Sequence, residues 1–192
     1  DAPATASNPM RVTVNGSTGG YYYLLDVASN LDCSVDISNY QGPIIETLEI
    51  DNYTYSADDD YKLCLLGSDI DGTQSIATEY QWNYDGSSPA ISDIMIANPD
   101  GYYKVGDKIT FMIDFTEDII LDSSDSELEL SSSGSYDSIA KATYKSNLTS
   151  NQIIYEYTVL DGDNALTISP SSIILNSSTI KDHAGNPANL DI

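Results

Sequence analysis

The sequence predicts an all-β chain built as two antiparallel β-sandwiches in series, and three observations carry that expectation. Apolar and polar residues alternate with a period of two, whereas the 3.6-residue repeat of an amphipathic helix is almost absent. Turn pairs centred on Gly, Asn and Asp interrupt these runs at short spacing, as hairpin-connected strands require. The aromatic content is skewed to 15 Tyr against 2 Phe and 1 Trp, and Tyr favours pleated surfaces with one wet side.

In chain order, strands are expected at 10–15, 20–27, 33–37, 44–50 and 61–66. The next, 78–84, alternates clearly: Thr78, Tyr80, Trp82 and Tyr84 against Glu79, Gln81 and Asn83. After an expected strand at 91–96 comes the clearest case, in which Ile109, Phe111, Ile113 and Phe115 interleave with Lys108, Thr110, Met112 and Asp114. Strands follow at 127–131 and 139–145. Then Ile153, Tyr155, Tyr157 and Val159 face away from Glu156 and Thr158, and the last strands are expected at 166–169 and 173–180. Each alternating run places one face in a core and the other in water or on a neighbour. Asn15-Gly16, Gly19-Gly20, Asp71-Gly72, Asp85-Gly86, Asp100-Gly101, Gly106-Asp107 and Asp161-Gly162 supply the turns. The polar, low-complexity stretch Ser123–Ser138 reads as long hairpin loops around a short strand. Frequent turns without intervening helices select sandwiches over a βαβ fold.

The polar phrase Asp85-Gly86-Ser87-Ser88-Pro89 divides the chain into segments of ordinary sandwich size, 1–86 and 87–192. An acidic residue shortly before a Pro also opens the chain, in Asp1-Ala2-Pro3, as expected of modules cut from a longer row. The start at Asp1, with neither Met nor a leader, reads as a mature or excised form.

Seven Lys and Arg against 30 Asp and Glu give a formal charge of −23. That field repels phosphate backbones and anionic lipid, which disfavours nucleic-acid and membrane-surface binding. No apolar run is long enough to span a bilayer, so membrane insertion is not expected. The charge maintains solubility at the cost of self-repulsion in the compact state, which divalent cations at carboxylate clusters would relieve. The two cysteines, Cys33 and Cys64, fit an oxidising compartment if paired; two buried thiols are the alternative.

Several phrases form a pattern in order along the chain. In the first half they are Leu31-Asp32-Cys33-Ser34, then Asp58 or Asp59 through Tyr61-Lys62-Leu63-Cys64 with Gly67, Asp69 and Gly72, then Tyr80-Gln81-Trp82 running into Asp85 and Pro89. In the second half they begin with Val105-Gly106-Asp107-Lys108-Ile109-Thr110-Phe111, Asp114-Phe115-Thr116-Glu117-Asp118-Ile119 and Ala142-Thr143-Tyr144. Tyr155-Glu156-Tyr157-Thr158-Val159, Asp161-Gly162-Asp163-Asn164-Ala165 and Ile180-Lys181-Asp182-His183-Ala184-Gly185-Asn186-Pro187-Ala188 complete the set. On these phrases the chain resembles the immunoglobulin-like repeats of large bacterial cell-surface and adhesion proteins. The resemblance implies two tandem immunoglobulin-like antiparallel β-sandwiches, a Cys33–Cys64 disulfide, and a structural or adhesive role at the bacterial cell surface. The 161–163 loop carries fewer Asp residues than such repeats often show.

Calcium needs six to eight hard oxygen ligands, which loops at the pole of a sandwich can supply from separate strands. The candidate set is Asp85, Glu117, Asp161, Asp163, Asp182 and Asn186, with Asp69 and Asp71 as a second set; Asx-turns at strand ends are the structural alternative. No EF-hand spacing is present. The single histidine, His183, lies in a turn, no Gly-x-Ser-x-Gly elbow occurs, and no carboxylate pair stands out, so catalysis is not expected. Aromatic presentation to a glycan or protein partner points to Tyr22, Tyr102 and Tyr103, with Tyr53 and Tyr55 as a further pair. Tyr61, three residues before Cys64, is a candidate tyrosine corner. Three roles follow: a spacer whose partners are neighbouring immunoglobulin-like domains of the same fibre, a module recognising cell-surface glycan or protein, and a subunit that polymerises by inserting a strand such as Arg11–Asn15 into the next copy.

Overall fold

The computed structural model describes residues 10–12, 19–45, 48–50, 58–133, 140–165 and 167–192. They form antiparallel β-sheets, with no α-helix among them. The chain separates into two compact units, Asp1–Ser87 and Ser88–Ile192.

The first unit contains β1 (Met10–Val12), β2 (Gly20–Val27), β3 (Gln41–Ile44), β4 (Leu48–Ile50), β5 (Asp59–Ser68) and β6 (Thr78–Tyr84). β1 pairs with β4, and the other four form a sheet in the order β3-β2-β5-β6. The long β2–β5 ladder, from Gly20 opposite Ser68 to Val27 opposite Tyr61, makes β5 a central strand. Its two faces are both buried: Tyr61 and Leu63 point one way, Cys64 and Leu66 the other. Tyr61 stacks on its register partner Trp82, with centroids 6.3 Å apart, and meets Tyr84 edge-on. It is therefore a core aromatic near the start of its strand. The Cys64 face is covered by 28–40, and Cys33, Tyr40, Cys64 and Leu66 form a small core there with Tyr22, Leu24 and Ile37 against it.

The expected strand at 33–37 is a loop containing the 3₁₀ turn Ile37–Asn39. Asp32 accepts the Ser34 amide and hydroxyl (2.9 and 2.7 Å), and Asp36 accepts the Ser38 amide (2.9 Å). These local acceptors occupy backbone donors that a ladder would otherwise use. The Cys33–Cys64 disulfide and a 2.7 Å bond from the Tyr40 hydroxyl to the Cys33 carbonyl pin this loop to the sheet. β3 shares only Ile44 with the expected strand at 44–50 and contains the Gly42-Pro43 peptide. It lies at the sheet's edge, where a proline costs no ladder bond, and that peptide is cis.

The second unit contains β7 (Ile91–Ile96), β8 (Lys108–Phe115), β9 (Ile120–Leu121), β10 (Glu127–Ser133), β11 (Ala140–Thr149), β12 (Gln152–Thr158), β13 (Thr167–Ile174) and β14 (Ile180–Lys181). Six of them form one sheet in the order β13-β10-β11-β12-β8-β7, and β9 pairs with β14. Alternation delivers Ile109, Phe111, Ile113 and Phe115 from β8, Ile153, Tyr155 and Tyr157 from β12, Leu128 and Leu130 from β10, and Ala142 from β11 to one core. Ile119, Val159 and Ile180 close it. Bulges interrupt the ladders near Glu129, Tyr144, Asn147 and Ile91 and increase local twist. The expected strand at 173–180 breaks after Ile174: Ser178 donates to Leu175 across a turn with Asn176 at φ 52°, and Asp122 accepts the amide and hydroxyl of Thr179. Ser123–Ser138 holds β10, and 134–139 lie outside the described residues.

Candidate functional site

The directions of β8 and β12 decide which acidic loops can meet. They pair antiparallel, with Asp114 opposite Gln152 at one end and Lys108 opposite Thr158 at the other. Glu117 follows the first end, whereas Asp161 and Asp163 follow the second. A ladder of this length spans about 20 Å. The structure thus splits the proposed calcium set: Asp161 and Asp163 stand at the opposite pole of the second unit from Glu117, and one ion cannot collect all of them. Asp85 belongs to the first unit, where its carboxylate accepts the Ser87 amide at 3.2 Å.

At the first pole, carboxylate oxygens of Glu117 and Asp182 come within 4.8 Å of each other. Asp182 follows β14 and is 2% exposed. Its Oδ1 accepts the amides of Gly185 and Asn186 (2.6 and 2.8 Å) and its Oδ2 the side-chain amide of Asn186 (2.8 Å). The turn closes with the Asp182 amide donating to the Asn186 carbonyl. Gly185 takes φ +97°, a conformation that favours glycine. Asp182 and Asn186 are therefore bound to each other first, and the exposed His183 sits between them. Two carboxylates and a side-chain amide are oxygen donors of the hard type calcium prefers, and they fit it as part of a coordination shell.

The opposite pole is built on turns. Gly106, at φ +88°, donates to the Val159 carbonyl, and the Val159 amide donates to the Asp107 carbonyl, both at 2.9 Å. This pattern is a G1 bulge. The Asp107 amide also donates to the Lys104 carbonyl, which places Val105 at the outer corner of a type II turn. Asp107 accepts the Lys104 amide at 2.9 Å. Asp163 accepts the buried Tyr157 hydroxyl at 2.6 Å and the Leu160 amide at 2.7 Å. Asp163 is thus a structural acceptor of its own loop, while Asp161 is exposed.

Of the aromatic candidates, Tyr102 is fully exposed. Tyr103 is half-buried against the core and its hydroxyl donates to the Pro99 carbonyl; Tyr22 packs on the disulfide-side core. The rings of Tyr103 and Tyr22 are therefore committed to packing, contrary to the expectation that they face a partner. Tyr53 and Tyr55 lie outside the described residues, as do 13–15 of the proposed exchange strand; its Arg11 is paired with Glu49 within the chain. Asp71 accepts the Thr73 amide at 2.9 Å in an Asx-turn, and Asp69 accepts the amide of the adjacent Ile70 at 2.6 Å, so both carboxylates of the second acidic set bond to their own loop.

Sequence reasoning did not single out Asp122 and Asp125, and it named Asp58 only as one of two possible starts of the phrase that runs to Cys64. The Ser87 hydroxyl and then the Gly86 amide (2.7 Å) lower the Asp58 pKa below the ordinary carboxylate value. The Thr179 amide does the same for Asp122, and the Ser177 hydroxyl for Asp125. Their partners stand 28 to 57 residues away in sequence, so no local motif marks them. No protein-family model matches the chain, and no curated protein or solved structure is significantly similar to it.

Proposed function

We propose that the chain is a non-catalytic, extracellular segment of a bacterial surface fibre, whose two units are tandem immunoglobulin-like sandwiches acting as a spacer or carrying a binding face. One observation carries this reading: each all-β unit has its own buried apolar cluster, and the cluster of the first is cross-linked by Cys33–Cys64. Disulfides persist in oxidising, extracytoplasmic settings. No helix among the described residues is long and apolar enough to cross a membrane. Against catalysis, the carboxylate next to His183 is committed to turn amides instead of orienting the imidazole. Partners on this reading are neighbouring domains of the fibre, with cell-surface glycan or protein as ligands of a binding face.

The test is surface exposure combined with mechanics. Antibody raised against the chain should label intact producing cells, and the chain stretched from its ends should unfold in two separate events. Labelling only after permeabilisation, or one concerted event, would overturn the reading.

Calcium belongs to the same proposal, now confined to Glu117 and Asp182. Millimolar calcium should raise the melting temperature over EDTA by mass action, and Glu117→Gln should abolish the rise. An unchanged melting temperature ends the calcium proposal without touching the spacer role.

A further inference from the structure

We propose that the pole of the second unit formed by 97–107 and 159–165 is a contact surface for a cationic, apolar-faced segment of another protein. A chain that only spans distance needs no such tip, so this goes beyond the spacer role. Three apolar side chains project there: Tyr102, fully exposed, with Val105 at 59% and Leu160 at 58%. Val105 and Leu160 stand side by side, because the peptide joining Val105 to Gly106 donates to the peptide joining Val159 to Leu160. Single exposed apolar residues are ordinary. These three share one pole, and the backbones of Val105 and Leu160 are held by the bulge, by the Lys104–Asp107 turn, and by Asp163 on the Leu160 amide. Little ordering entropy remains to oppose binding at such a tip.

The charge selects the occupant. Asp100 and Asp161 are exposed on the same two loops, against Lys104, in a chain of formal charge −23. Another copy of the chain would be repelled, whereas a lysine- or arginine-bearing segment with an apolar face matches both features.

The test titrates isotope-labelled full chain with an amphipathic Leu/Lys peptide, with polylysine of equal charge, and with phosphatidylcholine vesicles. The Leu/Lys peptide should shift the amides of Tyr102, Val105, Gly106 and Leu160, and keep binding at about 0.5 M salt, where polylysine is screened off. A variant carrying Tyr102→Ser, Val105→Ser and Leu160→Ser should bind at least about tenfold more weakly. Ile70→Ser with Ile76→Ser, which removes exposed isoleucines of the first unit, should leave binding unchanged. Leu160→Ser alone serves if the triple variant unfolds. No binding, equal binding by the serine variant, equal binding of polylysine in salt, or the same shifts with vesicles would each overturn the proposal.

Discussion

At Gly106 the chain adopts φ +88°, and a Cβ built there meets nothing within 4 Å. The cost of Gly106→Ala is therefore backbone strain alone, about 1 kcal/mol, read as a lower urea midpoint with an unchanged slope. Asp163 presents the contrasting case, in which the side chain is what matters. Asp163→Ala leaves the Tyr157 hydroxyl without this acceptor and frees the Leu160 amide, and should cost about 1–3 kcal/mol. Tyr157→Phe in that background should add little if the hydrogen bond is the source. The Asp-Gly and Gly-Asp pairs were legible as turns because their conformational preferences are local. That Asp163 serves its own loop was not, because the acceptor role depends on where Tyr157 of β12 points.

For elements, legibility followed pattern strength. β8 and β12, with clean alternation, lie where periodicity placed them, and β2 and β7 match their expected limits. The 33–37 segment failed because Ser and Asp side chains compete for backbone donors. β9 and β14 are two residues each, too short for any period to show. The loop over the Cys64 face has little regular structure of its own and depends on its cross-link. Removing it by Cys33→Ser with Cys64→Ser should cost about 3–4 kcal/mol, given a sequence separation of 31. Amides of 28–40 should then exchange faster, while those of β8 and β12 remain protected; equal loosening of both units would contradict their independence.

On the scale of the whole molecule, charge governs the response to solution conditions. Added sodium chloride at neutral pH should raise the melting temperature by screening the repulsion of the −23 charge. A fall would mean that pairs such as Lys108–Glu156 and Lys141–Glu127 dominate instead. Acid acts through the carboxylates that hydrogen bonds hold below their ordinary values, among them Asp32, Asp36, Asp58, Asp71, Asp122, Asp125, Glu127 and Glu156. Depressed folded-state pKa values stabilise above the unfolded values of 3.8 and 4.5, and that contribution is lost as pH falls through the folded ones. The urea midpoint should therefore hold between about pH 7 and 5, where relief of repulsion offsets early protonation, and drop below about pH 4.

Alternation along the chain was enough to establish strands, their faces and most core residues of the second unit, because the period of two is a property of consecutive residues. Which strand ends share a pole was settled by pairing partner and direction. Antiparallel β8 and β12 send Glu117 and Asp161 to opposite ends, and no count of residues along the chain contains that information. The same holds for Tyr102 and Tyr103: adjacency in sequence made them equal candidates, and packing against a core assembled from distant strands left one ring in solvent and took the other away.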